Sequence, residues 1–122
     1  SLQIGDSANA IRVQGFSALM HDHQGIIRDF ADSASLVAGL DLVIGVDTAL
    51  VHLAGALDCP VWTLLPFVPD WRWQTGRDDS PWYPSMRLFR QTGTGRWDDV
   101  IERVRAALEK AVADGSRHPA RQ

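Results

Sequence analysis

The stretch D-L-V-I-G-V-D-T-A-L-V-H-L-A-G-A-L-D-C-P-V-W-T-L-L-P, Asp41 to Pro66, decides the fold of this chain. Its opening run, Asp41–Val46, is apolar at nearly every position, the pattern of a strand buried on both faces of a parallel sheet. Thr48–Leu57 then has helical spacing, and Asp58-Cys59-Pro60 stops it ahead of a second apolar run, Val61–Leu65, closed by Pro66. Strand, helix and strand in that order make a βαβ unit, whose crossover is right-handed.

Working outward, Ser33–Leu40 reads as a helix with Asp32 as its N-cap and Leu36, Val37 and Leu40 on one face. Farther upstream, Leu2–Ile4 and Leu19–His21 are short strand candidates flanking a helix at Ala8–Val13. Downstream, Met86–Arg90 reads as a strand and Asp98–Val112 as an amphipathic helix, with Val100, Ile101, Val104, Leu108, Ala111 and Val112 on its apolar side and Gly115 marking its end. The order predicts an α/β chain: a three-layer, Rossmann-like, open and mostly parallel sheet with helices on both faces. Residues 1–113 read as one domain and 114–122 as a flexible tail. Ser1–Ile4 looks like the end of a strand with no initiator methionine, so the chain is read as a piece of a longer protein.

Composition narrows the function classes. At 122 residues and 45% hydrophobic content the chain can build a core without disulfides or metals. Its net charge of -3 is dispersed, which gives nucleic-acid binding no support. No apolar run reaches the roughly 18 residues of a membrane span, and the lone Cys59 suits a reducing, cytoplasmic setting.

In an open α/β sheet, ligands bind beyond the carboxyl ends of the strands, which here means the loops after Ile4, His21, Val46 and Leu65. At Asp47-Thr48 a helix starts directly after a buried strand, and its unpaired amides and positive dipole end make an anion site. Asp47 is placed to cap that helix, occupying amides an anion would use, or to turn toward a sugar hydroxyl. Thr48, His52 and Gly55 fall at i, i+4 and i+7 and form one narrow stripe on an otherwise apolar helix. His52 is either satisfied inside the domain or in contact with ligand. Gly55 costs about 1 kcal/mol of helix propensity relative to Ala, which predicts a close neighbour, either another helix or a ligand.

Pro66–Pro84 (PFVPDWRWQTGRDDSPWYP) is long for a connection and rich in aromatics. Two readings stand: a lid or contact surface built on Trp71, Trp73, Trp82 and Tyr83 with Arg72 and Arg77 reaching a phosphate, or a loop folded onto its own domain. Other signals are poor. Gly93-Thr94-Gly95 lacks the rest of a phosphate loop, His21-Asp22-His23 is a bad template for a metal, and no G-x-S-x-G elbow is present.

The segment Asp41–Trp62, with PFVPDWRW and SPWYP after it, resembles the carboxyl-terminal half of family 9, heptosyltransferase-like, glycosyltransferases, especially bacterial proteins in which such a domain follows tetratricopeptide repeats. The resemblance covers roughly residues 1–112, and D-T-x-x-x-H-L-A is its most specific element. It implies one half of a GT-B architecture that binds a nucleoside diphosphate sugar, needs no metal or other cofactor, and takes its general base from an amino-terminal Rossmann half. By that likeness Asp47, Thr48 and His52 contact the sugar and diphosphate of the donor. Ala49 contributes a backbone N–H where heptosyltransferases usually have glycine. Gln3 and Gly5 match a first donor-side loop, and Asp70, Trp71 and Arg72 are phosphate or lid candidates. The rival expectation is a non-catalytic binding module that makes protein contacts through the tryptophan-rich loop.

Overall fold

The computed structural model describes residues 1–115, and the expected tail from residue 116 lies outside them. The chain divides into two compact units, Ser1–Leu36 and Val37–Gln122, each described by itself.

The second unit holds the sheet. β1 (Val43–Val46), β2 (Val61–Leu65) and β3 (Met86–Arg90) are all parallel and lie in the order β1-β2-β3, with Val43 beside Val61 and Val61 beside Met86. This is the open parallel sheet of an α/β fold. Side chains alternate across it, so the register places Gly45, Thr63 and Leu88 on one face and Val46, Leu64 and Phe89 on the other. α3 (Ala49–Ala56) covers the first face, where a Cβ on Gly45 would lie 3.1 Å from Val51. α4 (Trp97–Ala113) covers the second, and its Val100 and Val104 pack with Leu64 and Phe89. Helices therefore lie on both faces.

β1 departs from the expectation of burial on both sides. Val43 is buried, but Ile44 and Val46 are 41% and 49% exposed. α4 packs over β2 and β3, and its cluster leaves that face of β1 uncovered. α3 ends as the D-C-P signal requires: Cys59 N bonds to Ala54 O, Asp58 N bonds to Gly55 O, and Asp58 takes φ 53°. That is a Schellman closure with Asp58 at the position glycine usually fills. α4 begins one residue before, and ends one after, the expected Asp98–Val112. Gly115, at φ 61°, follows its C-cap Asp114.

α2 (Phe30–Ala38) starts earlier than expected, and Asp32 is not its cap. Asp29 is: its Oδ1 accepts from Asp32 N at 2.9 Å. The Asp32 carboxylate instead accepts from the backbone N and Nε of Arg28, which holds its pKa below the ordinary value.

In the first unit the expected helix appears as α1 (Asn9–Val13), but neither Leu2–Ile4 nor Leu19–His21 forms a strand. Among the described residues only Ser1, ahead of the first segment, makes backbone bonds toward the second: its N donates to His21 O, and its O accepts from His23 N. Two bonds to a single residue do not make a ladder, and with Ile4 61% and Leu19 82% exposed no buried face sets a register.

Candidate functional site

β1 ends at Val46 and α3 begins at Ala49, so Asp47 and Thr48 form the whole link at the carboxyl edge of the sheet. The expected Asp47 cap is not there. Thr48 is the N-cap residue, extended at φ -141° and ψ 169°, and its side chain makes no cap hydrogen bond. Asp47 turns the other way: its Oδ2 accepts from the indole Nε1 of Trp73 at 2.7 Å, and its Oδ1 lies 3.4 Å from His52 Nε2. The reason is burial. Trp73 is fully buried, and a buried indole N–H left without an acceptor is costly, whereas the first amides of α3 can be satisfied by solvent or a ligand. Among the described residues no side chain accepts from the amides of Ala49 or Leu50, and Thr48 and Ala49 are both exposed.

His52, one turn into α3, is held on three sides. Its ring stacks on Trp73 at 5.1 Å and 27°, meets Tyr83 edge-on, and places Nδ1 3.2 Å from the Tyr83 hydroxyl. These contacts fit the tautomer whose Nε2–H faces Asp47 while Nδ1 accepts from Tyr83. Both ring nitrogens thus have partners within the domain. Gly55, the next member of the stripe, explains itself the same way: a Cβ there would stand 2.5 Å from Tyr83 Cγ, because the phenol ring lies on the bare helix backbone. The close neighbour is the loop.

That contact gives a prediction with a sign reversal. Gly55→Ala gains about 1 kcal/mol of helix propensity but drives a methyl into the ring, and overpacking typically costs about 1–3 kcal/mol. A net loss in urea unfolding is expected. In a Tyr83→Ala background, where the ring is gone, the same substitution should instead stabilise.

The tryptophan-rich loop folds onto its own unit rather than standing free. Trp73 is its buried anchor, Trp82 Nε1 donates to Arg72 O at 2.9 Å, and Ser80 Oγ accepts from the amides of Trp82 and Tyr83. Asp70 Oδ1 accepts from Arg72 N at 3.0 Å and lies 3.4 Å from its Nε, while the Arg72 guanidinium sits 5.8 Å over Trp71. Arg77 is engaged as well. It forms a two-pronged pair with Asp79 at 2.7 and 2.8 Å, and this guanidinium holds the Asp79 carboxyl below its ordinary pKa. Phe67, Val68, Trp71 and Trp82 remain more than half exposed.

Gln3 and Gly5 belong to the first unit, where both are exposed, Gln3 N donates to Ser1 Oγ at 3.2 Å, and Gly5 opens a short 3-10 turn at φ 70°. Among the described residues no group of three or more His, Cys, Asp or Glu is placed to hold a metal ion.

Residues 28–93, more than half of the chain, match the family model of glycosyltransferase family 9 (heptosyltransferase). The chain belongs to this family. Protein FlbA of Caulobacter vibrioides (strain ATCC 19089 / CIP 103742 / CB 15) is 39% identical over 85 residues, covering 70% of this chain. The match takes in 14% of that relative's length. No solved structure matches. Within the family 9 segment lie the whole Asp47–His52 junction, Gly55 and the loop that braces them. This is a glycosyltransferase-type domain, and among its described residues no helix is long and apolar enough to cross a membrane.

Two participants escaped the sequence reading. Trp73 appeared only as one aromatic among several, though a tryptophan in a loop must send its N–H somewhere. Arg90 appeared only as the end of a strand, yet its guanidinium donates to the loop carbonyls of Arg77 and Trp73.

Proposed function

We propose that this chain is the donor-binding half of an inverting, metal-independent glycosyltransferase that uses a nucleoside diphosphate sugar. The observation that carries the reading is the direction of Asp47. Drawn off by Trp73 and His52, it leaves the first amides of α3 uncapped beside the exposed Thr48 hydroxyl, at the edge where an open parallel sheet takes its ligands. In this reading the amides of Ala49 and Leu50, with Thr48 Oγ1, receive the diphosphate. As the sugar bond breaks, negative charge grows on the leaving diphosphate, and fixed amide dipoles stabilise it without reorganising. Asp47 and His52 shape the wall beside it. The acceptor and the general base belong to a second Rossmann half, and the free, buried Cys59 suits a reducing, cytoplasmic setting.

The test is a titration of the labelled chain with UDP, ADP and GDP, following backbone amide resonances. Saturable shifts confined to residues 48–52 are expected from at least one nucleotide. No shift there at millimolar concentration would sink the proposal.

A second reading, a module that makes protein contacts, is favoured by one observation: the loop backbone is tied down while Val68 and Trp71 stay 79% and 75% exposed. Trp71→Ser with Val68→Ser should then abolish a measured association while leaving nucleotide shifts intact.

A further inference from the structure

We infer that Arg90 is the residue that positions Asp47 and His52, acting through Trp73. Arg90 closes β3 and pairs in register with Leu65, which places it on the α3 face of the sheet. It is half-buried, and its guanidinium is spent on loop carbonyls: Nε donates to Arg77 O at 3.0 Å and Nη2 to Trp73 O. Among the described residues no carboxylate lies within ion-pair distance of it. Burial lowers its pKa from the ordinary value, opposed by the charge of Asp78.

A guanidinium taken partly out of water without a carboxylate partner is costly, so an apolar side chain would serve general stability as well. What an apolar residue lacks is the fork. Two donors in fixed geometry grip two carbonyls four residues apart and set where the Trp73 backbone stands. From there the indole reaches Asp47, its face carries the His52 ring, and Tyr83 completes the bracket. The last strand is thereby connected to the D-T junction by consecutive contacts. His52 on this account is braced in place, and the opening of α3 depends on a residue that does not border it.

The inference rests on the donor reading only in its ligand arm. In the 15N-labelled chain the Trp73 indole N–H is assigned by its loss in Trp73→Phe, and its displacement on losing the carboxylate acceptor is taken from Asp47→Ala. Arg90→Lys keeps the charge without the fork, and Arg90→Gln keeps a donor without the charge. Both should move the Trp73 indole resonance toward its Asp47→Ala position. Both should also weaken nucleoside diphosphate binding by at least about tenfold, the loss expected when a hydrogen bond to a charged group is misplaced. An unmoved indole resonance in both overturns the inference. Where Arg90→Gln fails to fold, urea unfolding of the Arg90→Lys and Asp47→Ala double-mutant cycle decides, because positioning requires coupling and strict additivity refutes it. If the parent chain binds no nucleotide, the donor reading falls and the indole measurement still stands.

Discussion

Trp73→Ala should cost the chain about 3–5 kcal/mol, the range for removing a fully buried tryptophan, and lower its melting temperature by more than about 10 °C. Cavity and chemistry can be separated. Trp73→Phe retains most of the ring against His52 but deletes the N–H that donates to Asp47 at 2.7 Å. Because the Asp47 side chain is still 26% exposed, water can take the vacated acceptor in part, and a loss of about 1–2 kcal/mol is expected. The ligand site should respond more sharply than stability does. Without the indole N–H, the Asp47 carboxylate is no longer drawn away from the amides that follow Thr48, so Trp73→Phe should weaken nucleoside diphosphate binding even where it unfolds little. Calorimetric binding beside urea denaturation reads both quantities. A loss under about 1 kcal/mol for Trp73→Ala would contradict the burial argument.

How far the sequence could be read follows from which signals are local. β2 and β3 match Val61–Leu65 and Met86–Arg90 to the residue, because an apolar run bounded by Pro60 and Pro66, or a strand-like run between Pro84-Ser85 and Gln91-Thr92-Gly93, states its own length. α3 and α4 agree within a residue or so at each end, since the helical period and the Asp58-Cys59-Pro60 stop are written in neighbouring positions. Leu2–Ile4 and Leu19–His21 failed because three residues carry no period, and strand character depends on partners that no local pattern names. Asp47 failed differently. With the helix expected to begin at Thr48 it is a good cap by every local rule, yet α3 begins one residue later with Thr48 as its N-cap, and a tryptophan 26 positions away claims the Asp47 carboxylate. Gly55 shows the opposite case. Its poor helix propensity announced a close neighbour, though not that the neighbour would be Tyr83.

The remaining prediction addresses the open end of α3 directly. Ala49 is the first residue of the helix, the position where proline is best tolerated, and Thr48 before it is extended, as a residue preceding proline prefers. Ala49→Pro should therefore leave the fold intact, with stability changed by no more than about 1 kcal/mol, while removing a single amide donor from the proposed diphosphate site. A hydrogen bond to a charged group is worth about 1.5–3 kcal/mol, so the dissociation constant for a nucleoside diphosphate should rise by roughly 10- to 150-fold. Ala49→Gly works in the other sense. Glycine, usual here in heptosyltransferases, removes the Cβ that keeps a phosphate from the backbone, and binding should tighten. The pair separates two explanations of any nucleotide binding that is observed. If the amides of α3 hold the diphosphate, proline weakens and glycine strengthens binding at nearly constant stability. If Arg72 or another loop cation holds it, neither substitution changes affinity, and the junction at Asp47-Thr48 is a structural corner braced by Trp73.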